Sequence, residues 1–156
     1  MPIPDFVVEL RKHVGTQELW MPAVTAVVSR GSEILLVRRA DNDQWAPITG
    51  ILDPGEEPAV GAAREALEET GVVVRVDRLA SVSSSDRVTH SNGDLAVYLD
   101  LTFACTYVSG EAHVGDDESV DVRWWPAVGL PDMHPAHRVR IDEALAGEER
   151  ARFTSA

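Results

Sequence analysis

The segment GILDPGEEPAVGAAREALEETGV, Gly50 to Val72, carries most of the information in this sequence. Its second half, residues 58–70, reads as a helix, because Pro58 suits a first helical turn and Gly71 suits the position after a helix end. Three glutamates in this helix occur at i, i+3 and i+4, a spacing that places their carboxylates on one helix face. These glutamates are Glu65, Glu68 and Glu69.

Clustered carboxylates on one helix repel each other, by a few tenths of a kcal/mol per i,i+4 pair. Only Arg64 offers positive charge on the same helix. A solvated acidic face would explain the helix alone, but the preceding loop favours a cation site. Gly50, Pro54 and Gly55 force a tight backbone path that lets main-chain groups approach a metal or a phosphate. Glu56, at the other end of the loop, can reach Arg64 and fix the loop against the helix.

The segment resembles the Nudix box, Gly-x5-Glu-x7-Arg-Glu-U-x-Glu-Glu-x-Gly-U, where U is a bulky aliphatic residue. The chance of seven fixed matches at background frequencies is on the order of 10⁻⁸ per window, so the resemblance is specific. The matching residues are Gly50, Glu56, Arg64, Glu65, Glu68, Glu69 and Gly71. Two departures are modest: Ala66 stands where a bulkier aliphatic is usual, and Thr49 stands where a second glycine is frequent.

The resemblance implies an α/β protein with the Nudix fold, an α/β/α sandwich around a mixed β-sheet. We expect an N-terminal segment, residues 1–20, with a short helix, and a Nudix hydrolase domain at residues 21–156 whose box covers residues 50–72. Residues 40–58 are expected to be mostly loop, because Asp, Asn, Pro and Gly are frequent there. Hydrophobic patterns predict strands at 23–29, 33–39, 72–76, 95–108 and 119–125, and a further helix at 135–146.

The resemblance also implies a metal-dependent reaction, in which water attacks phosphorus and splits a phosphoanhydride bond. Glu68 and Glu69 would be the main ligands of Mg²⁺, or of Mn²⁺ in its place. A backbone carbonyl of Thr49 or Gly50 would complete the protein ligands. Glu65 would be a further ligand or the general base, and the sequence leaves both roles open.

Other residues receive roles that are less specific. Glu56 and Arg64 would form an ion pair that holds the loop on the helix. Family members often take a further metal ligand from a loop outside the box, and Glu118 is our choice because it directly precedes a strand. Solvation of the acids at residues 116–118 is an equal alternative.

Two residues are candidates for binding the substrate. Arg38 and Arg39 alternate on a strand, so at most one of them faces the substrate. We choose Arg38, although a surface charge explains either arginine. Trp45 could stack on a base, but it could equally anchor its loop. The five histidines lack metal-ligand spacing and are expected to be exposed.

Composition narrows the function further. A formal net charge of −12 disfavours nucleic-acid binding as the main role, since DNA and RNA are polyanions. The single cysteine, Cys105, lies in an apolar stretch and is expected to be a buried core residue. No stretch is long and apolar enough for a membrane span, and no signal peptide is apparent, so we expect a cytoplasmic protein.

The substrate is expected to be a small nucleotide-like molecule, either a nucleoside diphosphate linked to another group or a nucleoside triphosphate. The markers of known Nudix subfamilies are absent downstream of the box, so the sequence does not identify it. A homodimer is compatible with the N-terminal segment. Two alternatives to the enzyme remain: a Nudix domain that binds a ligand without catalysis, and an interaction domain with an acidic surface helix.

Overall fold

The fold is organised around one mixed β-sheet with a helix packed on each face. The computed structural model describes residues 3–156. Its helices are Asp5–Val14 (α1), Pro58–Thr70 (α2) and Pro135–Leu145 (α3), with a 3₁₀ turn at Ala127–Gly129. Its strands are Leu19–Arg30 (β1), Glu33–Arg39 (β2), Trp45–Ala46 (β3), Ile48–Ile51 (β4), Val73–Ser84 (β5), Val88–Thr89 (β6), Leu95–Ser109 (β7) and Ser119–Pro126 (β8).

The centre of the sheet is the parallel pair β1 and β7, and the other pairings between these strands are antiparallel. The strand order is β3-β2-β1-β7-β5, while β4 pairs with β1, β6 with β7 and β8 with β2. Strands β1 and β2 pair only next to their turn. Further along the same edge of β1, residues Ala23–Ala26 pair with β4 instead. A mixed sheet between helical layers confirms the predicted fold class.

Helix α2 occupies one face of the sheet and has the bounds that the sequence predicts. It ends at Gly71, whose φ of 69° is the left-handed conformation that glycine adopts most readily. Ala62 and Ala66 are fully buried against strand residues such as Val24, so small side chains bring the helix close to the sheet. The same core includes Cys105, which confirms it as a buried thiol, and burial raises its pKa to about 12.

Helix α3 covers the opposite face, where Ile141 is fully buried beside Val27 and Leu36. His137 on this helix contradicts the expected exposure of the histidines, because it is only partly exposed and its Nδ1 atom is buried without a hydrogen-bond partner. Burial lowers the pKa of His137 to about 4. In the described part of the chain, no helix is both long and apolar enough to span a bilayer.

The structure corrects the predicted bounds of two strands, β1 and β5. Strand β1 begins at Leu19, earlier than the predicted start at residue 23. Residues 40–58 are mostly loop, as predicted, and they also contain the short strands β3 and β4. Strand β4 is too short to show a hydrophobic period, and it forms by pairing with Ala23–Ala26 of β1. Strand β5 continues to Ser84, beyond the predicted end at residue 76, because its serines pair with β7. The short helix in the N-terminal segment is α1, which docks through Val7 against Met21 and Ala96.

Candidate active site

A bidentate ion pair between Glu56 and Arg64 holds the glycine-rich loop on α2. Nε and Nη2 of Arg64 donate hydrogen bonds to Oε1 and Oε2 of Glu56 at 2.7 and 2.8 Å. The backbone N–H of Asp53 donates to Oε2 of Glu56 at 3.1 Å, so the same carboxylate closes the turn. Hydrogen bonding from Arg64 lowers the pKa of Glu56. The ion pair expected from the sequence is present, and it fixes the path of the loop.

Glu65 lies beneath this loop with no exposed surface. A Cβ atom on Gly50 would lie 2.0 Å from Cδ of Glu65, so only glycine leaves room for the carboxylate. Oε1 accepts a hydrogen bond from Nη1 of Arg64 at 2.8 Å, whereas Oε2 is buried without a partner among the described residues. Burial raises the pKa of Glu65 to about 7, against the opposing charge of Arg64. Such an oxygen is costly unless a cation or a proton satisfies it.

Glu69, one turn further along α2, is also buried, with 3% of its surface exposed. Burial raises its pKa, and the negative charges of Glu65, Asp116 and Glu118 raise it further. Glu68 differs, because its side chain is 46% exposed and its Oε2 lies 3.1 Å from Nη1 of Arg64. The three glutamates therefore divide into two buried carboxylates and one that is half exposed and paired with arginine.

The loop before β8 brings a second group of acids to the same place. Its backbone closes on the end of α2, where the N–H groups of His113 and Gly115 donate to the carbonyls of Thr70 and Glu69 at 3.0 and 2.8 Å. A Cβ on Gly115 would lie 2.0 Å from the carbonyl oxygen of Glu68, so this close approach requires glycine. Asp116 and Glu118, in the last part of this loop, are thereby held near the buried Glu69 of α2.

The last of those acids, Glu118, is fixed by its own backbone. Its carbonyl accepts a hydrogen bond from the N–H of Ala40 at 2.7 Å, and its N–H donates to Oδ1 of Asp116 at 3.0 Å. Asp116 and Glu118 both raise the pKa of Glu69, whereas only Glu118 was expected from the sequence to be a metal ligand. The contribution of Asp116 depends on the loop docking, which no spacing in the sequence reveals.

The donor chemistry of this cluster suits a hard divalent cation. Its side chains offer oxygen atoms only, which Mg²⁺ prefers, and Oε2 of Glu65 is a buried acceptor without a protein partner. Within residues 3–156, no three acidic, histidine or cysteine side chains are gathered closely enough to form a complete ligand set. Arg64 accounts for part of this separation, because its Nη1 lies between Glu65 and Glu68.

The two predicted substrate-binding residues lie away from these carboxylates. Alternation along β2 places Arg38 on the face that carries α3, where its Nη1 lies 3.2 Å from Oδ1 of Asp43. Trp45 is partly buried on that face, and its ring packs edge-on against Trp125 at 5.2 Å between centroids. The neighbouring Arg39 faces α2, and the hydrogen bond to Asp41 is the main cause of its raised pKa, with smaller contributions from Glu118 and Glu69.

Comparison with known proteins agrees with the geometry of the site. Residues 19–145 match the family model described as the NUDIX domain. A MutT-like protein of Streptomyces ambofaciens is 34% identical over 122 residues, which cover 78% of this chain and 73% of that protein. The NAD-capped RNA hydrolase NudC of Pseudomonas aeruginosa is 31% identical over 119 residues, which cover 75% of this chain but only 40% of that enzyme.

Solved structures share the fold at lower sequence identity. A crystal structure of a NUDIX hydrolase from Nitrosomonas europaea superposes with a TM-score of 0.67 at 22% identity, covering 85% of this chain and 76% of that one. At this identity the similarity supports the shared fold alone and says nothing about the residues of the active site.

Proposed function

This chain belongs to the Nudix family and is a pyrophosphohydrolase of that family, and we propose that it splits a phosphoanhydride bond of a small nucleotide with the help of Mg²⁺. The substrate in this proposal is a nucleoside diphosphate linked to another group, or a nucleoside triphosphate. The observation that carries it is Glu65, which is buried beneath Gly50 and keeps one carboxylate oxygen without a protein partner.

The metal ligands in this proposal are Glu65, Glu69 and Glu118, with a backbone carbonyl of Thr49 or Gly50. Oε2 of Glu68 lies 3.1 Å from Nη1 of Arg64, so Glu68 can bind the metal only after this ion pair breaks. Bound Mg²⁺ would polarise the phosphoryl oxygens and lower the pKa of a bound water, with Mn²⁺ able to supply the same chemistry.

The protein residues contribute orientation and proton transfer. Arg64 holds Oε1 of Glu65 at 2.8 Å, which leaves Oε2 to act as a ligand or to accept a proton from the attacking water. The ion pair with Glu56 keeps the loop backbone in place during this step. Arg38 and Trp45 remain proposed contacts for the nucleoside, on the face of the sheet that carries α3.

Nudix relatives act on different substrates, so the substrate needs an argument of its own. The relative from Pseudomonas aeruginosa hydrolyses NAD-capped RNA according to its name, and this chain spans 40% of its length. A net charge of −12 opposes binding of a long polyanion such as RNA. We therefore propose free nucleotides as substrates, acted on by a domain at residues 21–156.

A substrate panel tests this proposal. The protein is incubated with Mg²⁺ and with ADP-ribose, a nucleotide sugar, a dinucleotide, a nucleoside triphosphate or NAD-capped RNA, and the products are identified. We expect hydrolysis of at least one free nucleotide, at an anhydride bond, and loss of activity in excess chelator. Activity on the capped RNA alone would overturn the choice of substrate, and activity that survives the chelator would overturn the metal assignment.

One observation favours a second candidate, a Nudix domain that binds nucleotides without hydrolysing them. Arg64 contacts both Glu65 and Glu68, so two of the expected carboxylates already have a protein cation. A domain of this kind would bind nucleotides in the panel and release no product. The retention of all the box glutamates leads us to prefer the enzyme.

A further inference from the structure

A cavity of about 580 Å³ opens beside the buried carboxylates of α2. One side is formed by residues Ile3–Phe6, which we call the N-terminal wall. The other sides come from the glycine-rich loop, from α2 and from the loop before β8. The facing residues include Ile51, Pro54, Arg64, Glu68 and Asp116. The cavity therefore shares Glu68 and Asp116 with the surroundings of the active site.

The N-terminal wall is held in place by the docking of α1. Val7, one residue after the wall, is 3% exposed and packs with Met21 and Ala96. Nη2 of Arg11 donates a hydrogen bond to the carbonyl of Leu95 at 2.8 Å, which ties the helix to the start of β7. The side of the cavity formed by the N-terminal wall is therefore fixed to the sheet through α1.

The charged side chains around this cavity are mostly negative. Asp5, Asp53, Glu68 and Asp116 line it, and the only positive side chain among the described lining residues is Arg64. The Arg64 guanidinium already donates hydrogen bonds to glutamates of its own loop and helix. Asp5 and Asp53 are not among the proposed metal ligands, so a further phosphate would be repelled by them, whereas a cation would be attracted.

The N-terminal wall adds an apolar surface to this acidic lining. Ile3 is 50% exposed, and Phe6 and Pro54 line the same space. A half-exposed isoleucine beside a catalytic helix has apolar area that a ligand can bury. The combination suits a group that is partly apolar and either uncharged or positively charged.

We propose that this cavity binds the part of the substrate beyond the cleaved anhydride, and that this part is an uncharged or cationic organic group. The inference rests on the proposed hydrolysis and adds a substrate class to it. Nucleoside diphosphates linked to such a group are then preferred over those whose distal group carries another phosphate. Ile3 is the residue of the wall that contacts the group.

The test uses three substrates with one nucleoside diphosphate and different distal groups: choline, glycerol and glycerol phosphate. Turnover with Mg²⁺ gives kcat/KM for each. Calorimetry with phosphocholine, glycerol phosphate and glycerol bisphosphate measures binding of the distal half without any need for turnover. The variants are Ile3→Ser and its control Val8→Ser, which lies on α1 outside the cavity lining and is 45% exposed.

We expect the choline and glycerol compounds to exceed the phosphorylated one about fivefold or more in kcat/KM and in affinity. Loss of the Ile3 contact should weaken phosphocholine binding about three- to tenfold, and Val8→Ser should leave it unchanged. Turnover without this order, or without an effect of Ile3→Ser, would overturn the cavity assignment and leave the hydrolase intact. Binding with the expected order but no turnover of any of the three substrates would support the cavity, and inactivity on the whole substrate panel as well would overturn the hydrolase. Absence of binding and of turnover would overturn the cavity assignment, and the substrate panel would then decide on the hydrolase.

Discussion

Two carboxylates are buried on opposite faces of the same sheet, and their surroundings differ. Asp100, on the α3 face, is 2% exposed and accepts hydrogen bonds from the hydroxyls of Thr25 and Thr102 at 2.8 and 2.7 Å. Its Oδ2 also lies 3.4 Å from Nη1 of Arg140. Glu65, on the α2 face, has one paired oxygen and one buried oxygen without a partner.

The difference separates a structural role from a functional one. A buried carboxylate with both oxygens satisfied contributes to the native structure, and Asp100 joins β1, β7 and α3 in this way. A carboxylate with an unsatisfied oxygen costs stability, and such a cost is expected where a ligand or a reaction uses the group. We therefore expect loss of the buried carboxylates on the α2 face to affect activity, and loss of Asp100 on the α3 face to affect stability.

The largest effect is expected for Glu69→Gln, which keeps the shape of a buried carboxylate on the α2 face and removes its charge. Loss of a metal ligand should lower kcat by about 10³-fold, a change of several kcal/mol in transition-state stabilisation. The free energy of unfolding should stay constant or rise, because repulsion from Glu65 is removed. Steady-state kinetics and urea denaturation measure the two quantities. Activity within tenfold of the wild type would assign Glu69 to the scaffold.

The substitution Asp100→Ala is expected to lower stability and to leave kcat nearly unchanged. It leaves Arg140 and two threonine hydroxyls buried without their acceptor, which should lower the free energy of unfolding by about 3–5 kcal/mol. The kcat of the folded fraction should stay within about twofold of the wild type, since Asp100 lies across the sheet from α2. Denaturation curves combined with kinetics on the folded protein test both parts. A large loss of kcat with unchanged stability would reverse the assignment of the two faces.

A smaller effect is expected from His137, whose ring is partly buried on α3. Burial lowers its pKa from 6.5 to about 4, with smaller contributions from the charges of Arg140, His134 and Arg39. Between these pH values the unfolded chain binds a proton that the folded chain does not, so stability falls as pH decreases from about 6.5 to 4. The loss should be about 2–3 kcal/mol, and it should be absent above pH 7.

The variant His137→Gln isolates this contribution from that of Glu65. Because the pKa of Glu65 is raised to about 7, Glu65 favours the folded state as pH falls, which opposes the effect of His137. The unfolding free energies of wild type and variant are measured from pH 7.5 to 4, and one is subtracted from the other. The contribution of Glu65 is the same in both proteins and cancels in this difference. A difference that does not change with pH would show that His137 titrates equally in both states.

The sequence predicted the elements whose signals are local. The bounds of α2 follow from Pro58 and Gly71, and the bounds of β2 follow from a continuous apolar run beside a turn. Strands β3 and β4 were missed because two and four residues cannot show a period, and pairing with other strands creates them. The ion pair between Glu56 and Arg64 was predictable because the loop and the helix are adjacent in the chain.

The remaining features depend on contacts between distant residues. Asp116 approaches Glu69 only because Gly115 docks on the end of α2, and Asp100 meets Arg140 only when α3 covers the sheet. Asp100, within the apolar strand 95–108, was the one available signal for its own buried contacts with Thr25 and Arg140, since a buried charge needs partners. Its partners could not be named without the fold.

A Mg²⁺ titration of thermal stability tests whether the α2 carboxylates bind a divalent cation. A ligand that binds only the folded state at a hundredfold excess over its Kd adds about 2.7 kcal/mol. We expect a saturable rise in the Tm of the wild type and no rise for Glu69→Gln. An equal rise in both proteins, or none in either, would contradict metal binding by these carboxylates.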